Sequence, residues 1–168
     1  MRNASKRTVS ALAVLAAVIA AATVWLPAAF AGDTQVQVFD PEGKFERFID
    51  NGKSDFSPGD QIIEIHGLLD PSDGSGVGTI YTEVTILRVV QGGEDFDLTV
   101  HCTVVLPEGT IVFYGGFRFS DAGTADGVTL PITGGTGDFE LARGTVNIAL
   151  GELYDAPGAT LTFDLTTT

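Results

Sequence analysis

Basic residues are scarce in this chain, and what it lacks narrows what it does. Nine lysines and arginines stand against 22 aspartates and glutamates. Three of the nine, Arg2, Lys6 and Arg7, lie at the N-terminus, so the 137 residues after position 31 carry all 22 acids and six bases, a net charge of −16. Such a field repels phosphate backbones and anionic lipid, and no nucleic acid partner is expected. One cysteine, Cys102, excludes a disulfide within the chain. Set between Val100 and Val104 with no activating motif nearby, it reads as an inert buried thiol. Two histidines and that cysteine, scattered, make no zinc site. Gly74-Ser-Gly-Val-Gly78 precedes no helix and so lacks the means to hold phosphate. Asp70-Pro-Ser-Asp-Gly-Ser-Gly76 misses the carboxylate spacing of a calcium loop. No metal and no cofactor are expected.

The N-terminus has a different character. Arg2, Lys6 and Arg7 precede an apolar run from Val9 to Leu26; Pro27 breaks it, and Ala29-Phe30-Ala31 fits a signal peptidase site before Gly32. Residues 1–31 therefore read as a secretory leader and 32–168 as one domain outside the cytoplasm. The run is long enough for an uncleaved membrane anchor to be the alternative, and the membrane then touches the protein only there. A domain of this length buries roughly two thirds of its surface and needs no disulfide.

Helical periodicity is missing after the leader, and period-two alternation takes its place. Thr79 to Val90 puts Ile80, Val84, Ile86 and Val90 on one face, with Tyr81, Glu83 and Thr85 opposite. Phe96 to Leu106 alternates throughout, and so do Leu161, Phe163 and Leu165 with their threonine neighbours. Further strands are predicted over 34–39, 60–68, 110–119, 128–133 and 139–150, giving about eight strands separated by Gly, Pro and Asp turn clusters. Residues 44–58 carry neither period and are predicted to be a loop packed over one mouth. The pattern is an antiparallel meander: a sandwich, or a barrel that removes its own edges.

Pro131-Ile-Thr-Gly-Gly-Thr-Gly-Asp-Phe-Glu-Leu-Ala-Arg-Gly-Thr145 resembles the glycine signature of the dirigent and allene oxide cyclase families. Gly59-Asp60 before Gln61-Ile-Ile, Val77-Gly-Thr-Ile-Tyr-Thr82 and Gly109-Thr-Ile-Val-Phe-Tyr-Gly115 are similar to their other strand starts, in the same order. The alanine-rich leader is similar to those of exported actinobacterial members. The resemblance covers roughly residues 34–168. It implies an all-β fold, an eight-stranded antiparallel up-and-down β-barrel with a central cavity, and a homodimer or homotrimer. Allene oxide cyclase activity itself is not expected: Val36-Gln-Val-Phe-Asp40 lacks the glutamate of the plant enzymes, and Val84 stands at their buried cysteine. Asp40 and Arg143 answer to the dirigent pattern.

Candidate chemistry follows from these positions. Counting alternation from Phe139 puts Arg143 with Phe139, Leu141 and Thr145; on a lumen face its guanidinium would orient a carbonyl, carboxylate or phenolate. At the mouth it would instead pair with an acid. Asp40 is either a general acid or anchoring carboxylate, or a turn residue before Pro41. Tyr114 is either a donor inside the barrel or a wall residue. Catalytic candidates are thus Arg143, Tyr114 and Asp40; ligand-binding candidates are Phe139, Leu141, Thr145, Val84 and Ile86. Glu64 and His66, two apart on one face, have acid–base spacing but are read as an outward-facing surface pair. His101 is read as an exposed strand residue.

By resemblance the expected function is a cofactor-free cyclase of a small hydrophobic secondary metabolite, with polyketide-type ring closure or cycloaddition in the lumen. The alternatives are a non-catalytic exported barrel binding a small hydrophobic ligand, and dirigent-like steering of radical coupling.

Overall fold

The alternation closes into a ring. The computed structural model describes residues 32–41, 47–52, 56–90, 95–120, 127–153 and 156–167. Among these run nine strands and no helix: β1 (Gly32–Pro41), β2 (Arg47–Ile49), β3 (Gln61–Leu69), β4 (Gly76–Val89), β5 (Phe96–Leu106), β6 (Gly109–Phe119), β7 (Val128–Gly137), β8 (Arg143–Leu153) and β9 (Ala156–Thr167). Eight of them form an antiparallel closed barrel in which each of β3 to β8 pairs with the next and β1 pairs with β9. The ring shuts where Phe39 of β1 faces Leu69 of β3, and β2 adds outside it on the first residues of β3. The leader, 1–31, and the predicted turns over 91–94 and 121–126 lie outside the described residues.

Closure gives every strand one inward face, and the apolar residues of each alternation occupy it. On β5, Phe96, Leu98, Val100, Cys102, Val104 and Leu106 are all buried while the residues between them are exposed or half-buried. Facing them across the ring are Val146, Ile148, Leu161, Phe163 and Leu165, all in the same apolar cluster. Each such side chain contributes roughly 1.5–3 kcal/mol by leaving water, and the barrel needs no other core.

Two strand boundaries differ from the sequence reading. The glycine stretch Gly134–Gly137 is the end of β7, not a turn, and the strand expected from Phe139 starts at Arg143. The turn is Asp138–Leu141, where Phe139 N–H donates to Thr136 O (3.1 Å) and Ala142 N–H donates to Phe139 O (3.0 Å). Gly137 takes φ 62° and Gly144 φ 130°, conformations that a side chain would strain. A Cβ at either would strike backbone, at Glu108 O and Asp164 O respectively. This turn presses Phe139 and Ala142, both fully buried, into one end of the barrel.

The other end is covered from residues 47–60. Arg47–Ile49 is a short strand, where a loop was expected, because it finds an open edge on β3. Phe56 packs edge-on between Phe48 and Phe96, with ring centroids 5.3 and 5.9 Å apart. Buried Asp60 fastens the segment: its Oδ1 accepts from Asn51 N–H (2.9 Å) and Ser57 Oγ (3.1 Å), and its Oδ2 accepts from Ser57 N–H (2.7 Å). The expected cover over one mouth is thus present at Phe56; residues 44–46 and 53–55 lie outside the described residues.

Candidate active site

One part of the inner wall breaks the apolar rule. The register Ile62 to Val84 and Leu68 to Gly78 fixes which face of β3 turns inward, and with it Glu64 and His66 enter the lumen. Both are buried. Glu64 lies beside Thr82, which lies beside Cys102, so a polar row crosses β3, β4 and β5. From the far side of the seam β1 contributes Asp40, also buried, whose Oδ1 lies 2.9 Å from His66 Nδ1. Thr82 Oγ1 and Cys102 Sγ are 3.4 Å apart.

The electrostatics follow from burial. Loss of water pushes the Glu64 carboxyl up to about 7, against the pull of His66 in the other direction. Burial likewise raises Asp40, and the hydrogen bond and charge of His66 offset only part of it. Cys102 is pushed up to about 12 by burial, so it remains a thiol and is no nucleophile. Glu64 Oε1 is fully buried and has no hydrogen-bond partner among the described residues. An acceptor stripped of water and left unpaired costs about 1–3 kcal/mol, which a bound donor or a shared proton would recover.

This row is slightly less tightly covered than parts of the apolar wall. Glu64, His66, Val84 and Val100 keep 6, 8, 7 and 7% of their surface, whereas Ile80, Val104, Ile111 and Phe163 keep 0–1%. On the next strand Phe113 lies beside Cys102, and its ring meets that of Phe163 from β9, with centroids 6.0 Å apart. The polar row thus runs into an apolar part of the inner wall.

The residues expected from sequence are divided by this geometry. Asp40 faces inward, and so do Val84 and Ile86. Arg143, expected with the lumen set, is exposed on the outer face and donates from Nη1 to Ala142 O (2.7 Å). Thr145 and Leu141 are exposed with it. The error came from counting alternation through the turn: Gly144, Val146 and Ile148 set the inward phase of β8, so Arg143 and Thr145 point out. Phe139 is buried as a plug of the barrel end. Tyr114 is half exposed on the outside, its ring 6.2 Å from exposed His101, because Phe113 takes the inward position. Glu64 and His66, expected on the surface, are inside. Their strand carries apolar residues on both faces, Ile62 and Leu68 against Ile63 and Ile65, so alternation alone does not choose; pairing with β4 does.

No family profile and no curated protein sequence matches this chain. Solved structures do. Its fold is shared with dirigent proteins and Diels–Alderases. A pyocyanin demethylase superposes with a TM-score of 0.65 at 21% identity, over 79% of this chain and 100% of that one. The pterocarpan synthase dirigent protein PsPTS1 gives 0.56 at 21% identity, over 81% and 96%. AbnU, an exo-specific intermolecular Diels–Alderase, gives 0.56 at 19% identity, over 80% and 98%. At these identities the likeness is one of fold, and it agrees with the barrel that the glycine signature implied.

Proposed function

We propose that this protein is a ring-closing enzyme acting on a small, largely apolar molecule held in the lumen. The observation that carries the reading is Glu64, a carboxyl buried on the inner wall whose Oε1 has no hydrogen-bond partner among the described residues. A fold maintained by packing alone has no use for it, and a bound molecule with a polar end does.

The chemistry asked of the protein is modest. The greasy side, with Phe113 and Phe163, takes up a flexible hydrocarbon portion; the polar side, Asp40, His66 and Glu64, anchors its polar end and sets its register. Holding a chain in the conformer where its reacting carbons meet supplies several kcal/mol of a cyclisation barrier without any nucleophile. In a cycloaddition two σ bonds replace two π bonds, no proton or electron leaves, and the mass of the reactants is kept. A barrel shared with AbnU and PsPTS1 supports this choice of chemistry over carriage alone. With residues 1–31 read as a leader, the work is done outside the cytoplasm.

The test is to incubate the purified protein with a small-molecule extract of the cells that make it and to follow it by chromatography and mass spectrometry. A component that changes retention at unchanged molecular mass supports ring closure. A compound that co-purifies and is returned unaltered contradicts it and makes the protein a carrier.

A further inference from the structure

The polar row inside the barrel is unbalanced, and the imbalance constrains what it can receive. The titratable groups facing Glu64 are Asp40 from β1, His66 from its own strand and Cys102 from β5; β4 offers only Thr82, and the described inner faces of β6 to β9 add none. Asp40 Oδ1 and His66 Nδ1 are taken up by each other at 2.9 Å. Cys102 stays neutral. Glu64 is left as the carboxyl with a buried oxygen to offer and no donor against it among the described residues.

We infer that the lumen binds a neutral molecule with a hydrogen-bond-accepting oxygen, a ketone, enone or lactone, that docks on protonated Glu64, so that binding takes up a proton. The inference rests on the reading of the lumen as a substrate chamber. Three ligand classes can be set against the same wall. A carboxylate would meet two acids and one imidazole, with no buried lysine or arginine among the described residues to offset it. An ammonium would have to leave water and ionise Glu64 as well, and burying such a pair costs more than the pairing returns unless its geometry is excellent. A carbonyl leaves water cheaply and needs one donor, which the acid form of Glu64 supplies. That form is available near neutrality because the same burial that removes water from the carboxyl favours its proton.

The site then discriminates by charge at one end and by shape elsewhere, and proton activity sets its occupancy. Since only the protonated protein is competent, apparent Kd rises as the protonated fraction falls. With Glu64 titrating at about 7, that amounts to about a tenfold weakening between pH 6 and pH 8.

The experiment uses three probes of one shape: 2-acetylnaphthalene, 2-naphthoic acid and 2-(aminomethyl)naphthalene. Calorimetry on the purified protein at pH 6, 7 and 8, in buffers of different ionisation heat, gives Kd and the protons exchanged. The ketone is expected to bind best, to take up protons at pH 7 to 8, and to weaken about tenfold from pH 6 to 8. In Glu64→Gln, whose amide still donates, its Kd is expected to lose that pH dependence; a thermal melt reports whether the variant is folded, and Arg143→Leu, on the outer face and expected to keep the dependence, serves as the second variant. Tightest binding of the amine or the acid, no binding of the ketone, or the same pH dependence in Glu64→Gln would each overturn the inference. Turnover is not measured, so the two readings fail separately. Proton-linked ketone binding with no conversion in extracts removes ring closure alone; conversion with pH-independent binding removes this inference alone.

Discussion

His66 Nδ1 and Asp40 Oδ1 meet 2.9 Å apart across the seam where the first barrel strand closes on the third, joining positions 26 residues apart. The pair is buried on both sides. It fastens the ring at its shortest ladder, the single Phe39–Leu69 pair of β1 and β3, and it fixes one ring nitrogen of the imidazole on the inner wall. Asp40→Ala removes the acceptor and leaves His66 buried without it. The expected loss is on the order of 3 kcal/mol of stability, read as a lower urea midpoint with an unchanged slope. Asp40→Asn restores part of that stability and still lowers conversion of the substrate, because the imidazole is no longer held beside a carboxylate.

Glu64 makes stability depend on pH, with a definite sign. Its carboxyl titrates at about 7 in the folded protein against 4.5 ordinarily, so between those values the native state binds more protons than the unfolded chain. Stability from this group is full below about pH 4.5 and is lost as pH rises through about 7. Asp40, also raised by burial, acts in the same sense. The urea midpoint of the wild type is therefore expected to fall from pH 5 to pH 8, and that of Glu64→Gln to fall less. An equal fall in both proteins would show that Glu64 does not hold its proton.

Arg143 tests the inward phase of β8. Outside the barrel, with its guanidinium on the neighbouring carbonyl of Ala142, it has no route to a molecule in the lumen. Arg143→Leu is expected to leave conversion and melting temperature within error of the wild type. A large loss of activity in a folded Arg143→Leu protein would return it to the site.

Cys102 should be silent to thiol reagents while the barrel is folded. It is buried, pushed up to about 12 and held near Thr82 Oγ1. Labelling by an aromatic disulfide is expected only at the rate of global opening, and fast labelling in denaturant. Rapid labelling of the native protein would mean that the polar row lies open to bulk solvent.

Much of this arrangement was legible in the residues. The alternation of Phe96 to Leu106 gave both limits of β5 and its inward face, and the glycine signature gave a barrel where pattern alone left a sandwich open. Asp40 was recognised by its place at the end of the first strand. Glu64 and His66 are legible as a pair, but their side is not, since Ile63 and Ile65 make the outer face of β3 as apolar as the inner one. What settles them is long-range: the register of Ile62 on Val84, 22 residues away, and the arrival of Asp40 from another strand. Arg143 was misplaced for the opposite reason, a local break. The turn at Asp138–Leu141 resets the phase, and counting across a turn carries no information about the strand beyond it.

The most direct measurement is a crystal structure of the protein grown with 2-acetylnaphthalene at pH 6. The ring system is expected between the polar row and the Phe113–Phe163 wall, with the ketone oxygen about 2.6–3.0 Å from a Glu64 carboxyl oxygen. A lumen filled by the protein's own side chains, with the ketone absent or bound on the outer surface, would contradict the reading of this barrel as a chamber.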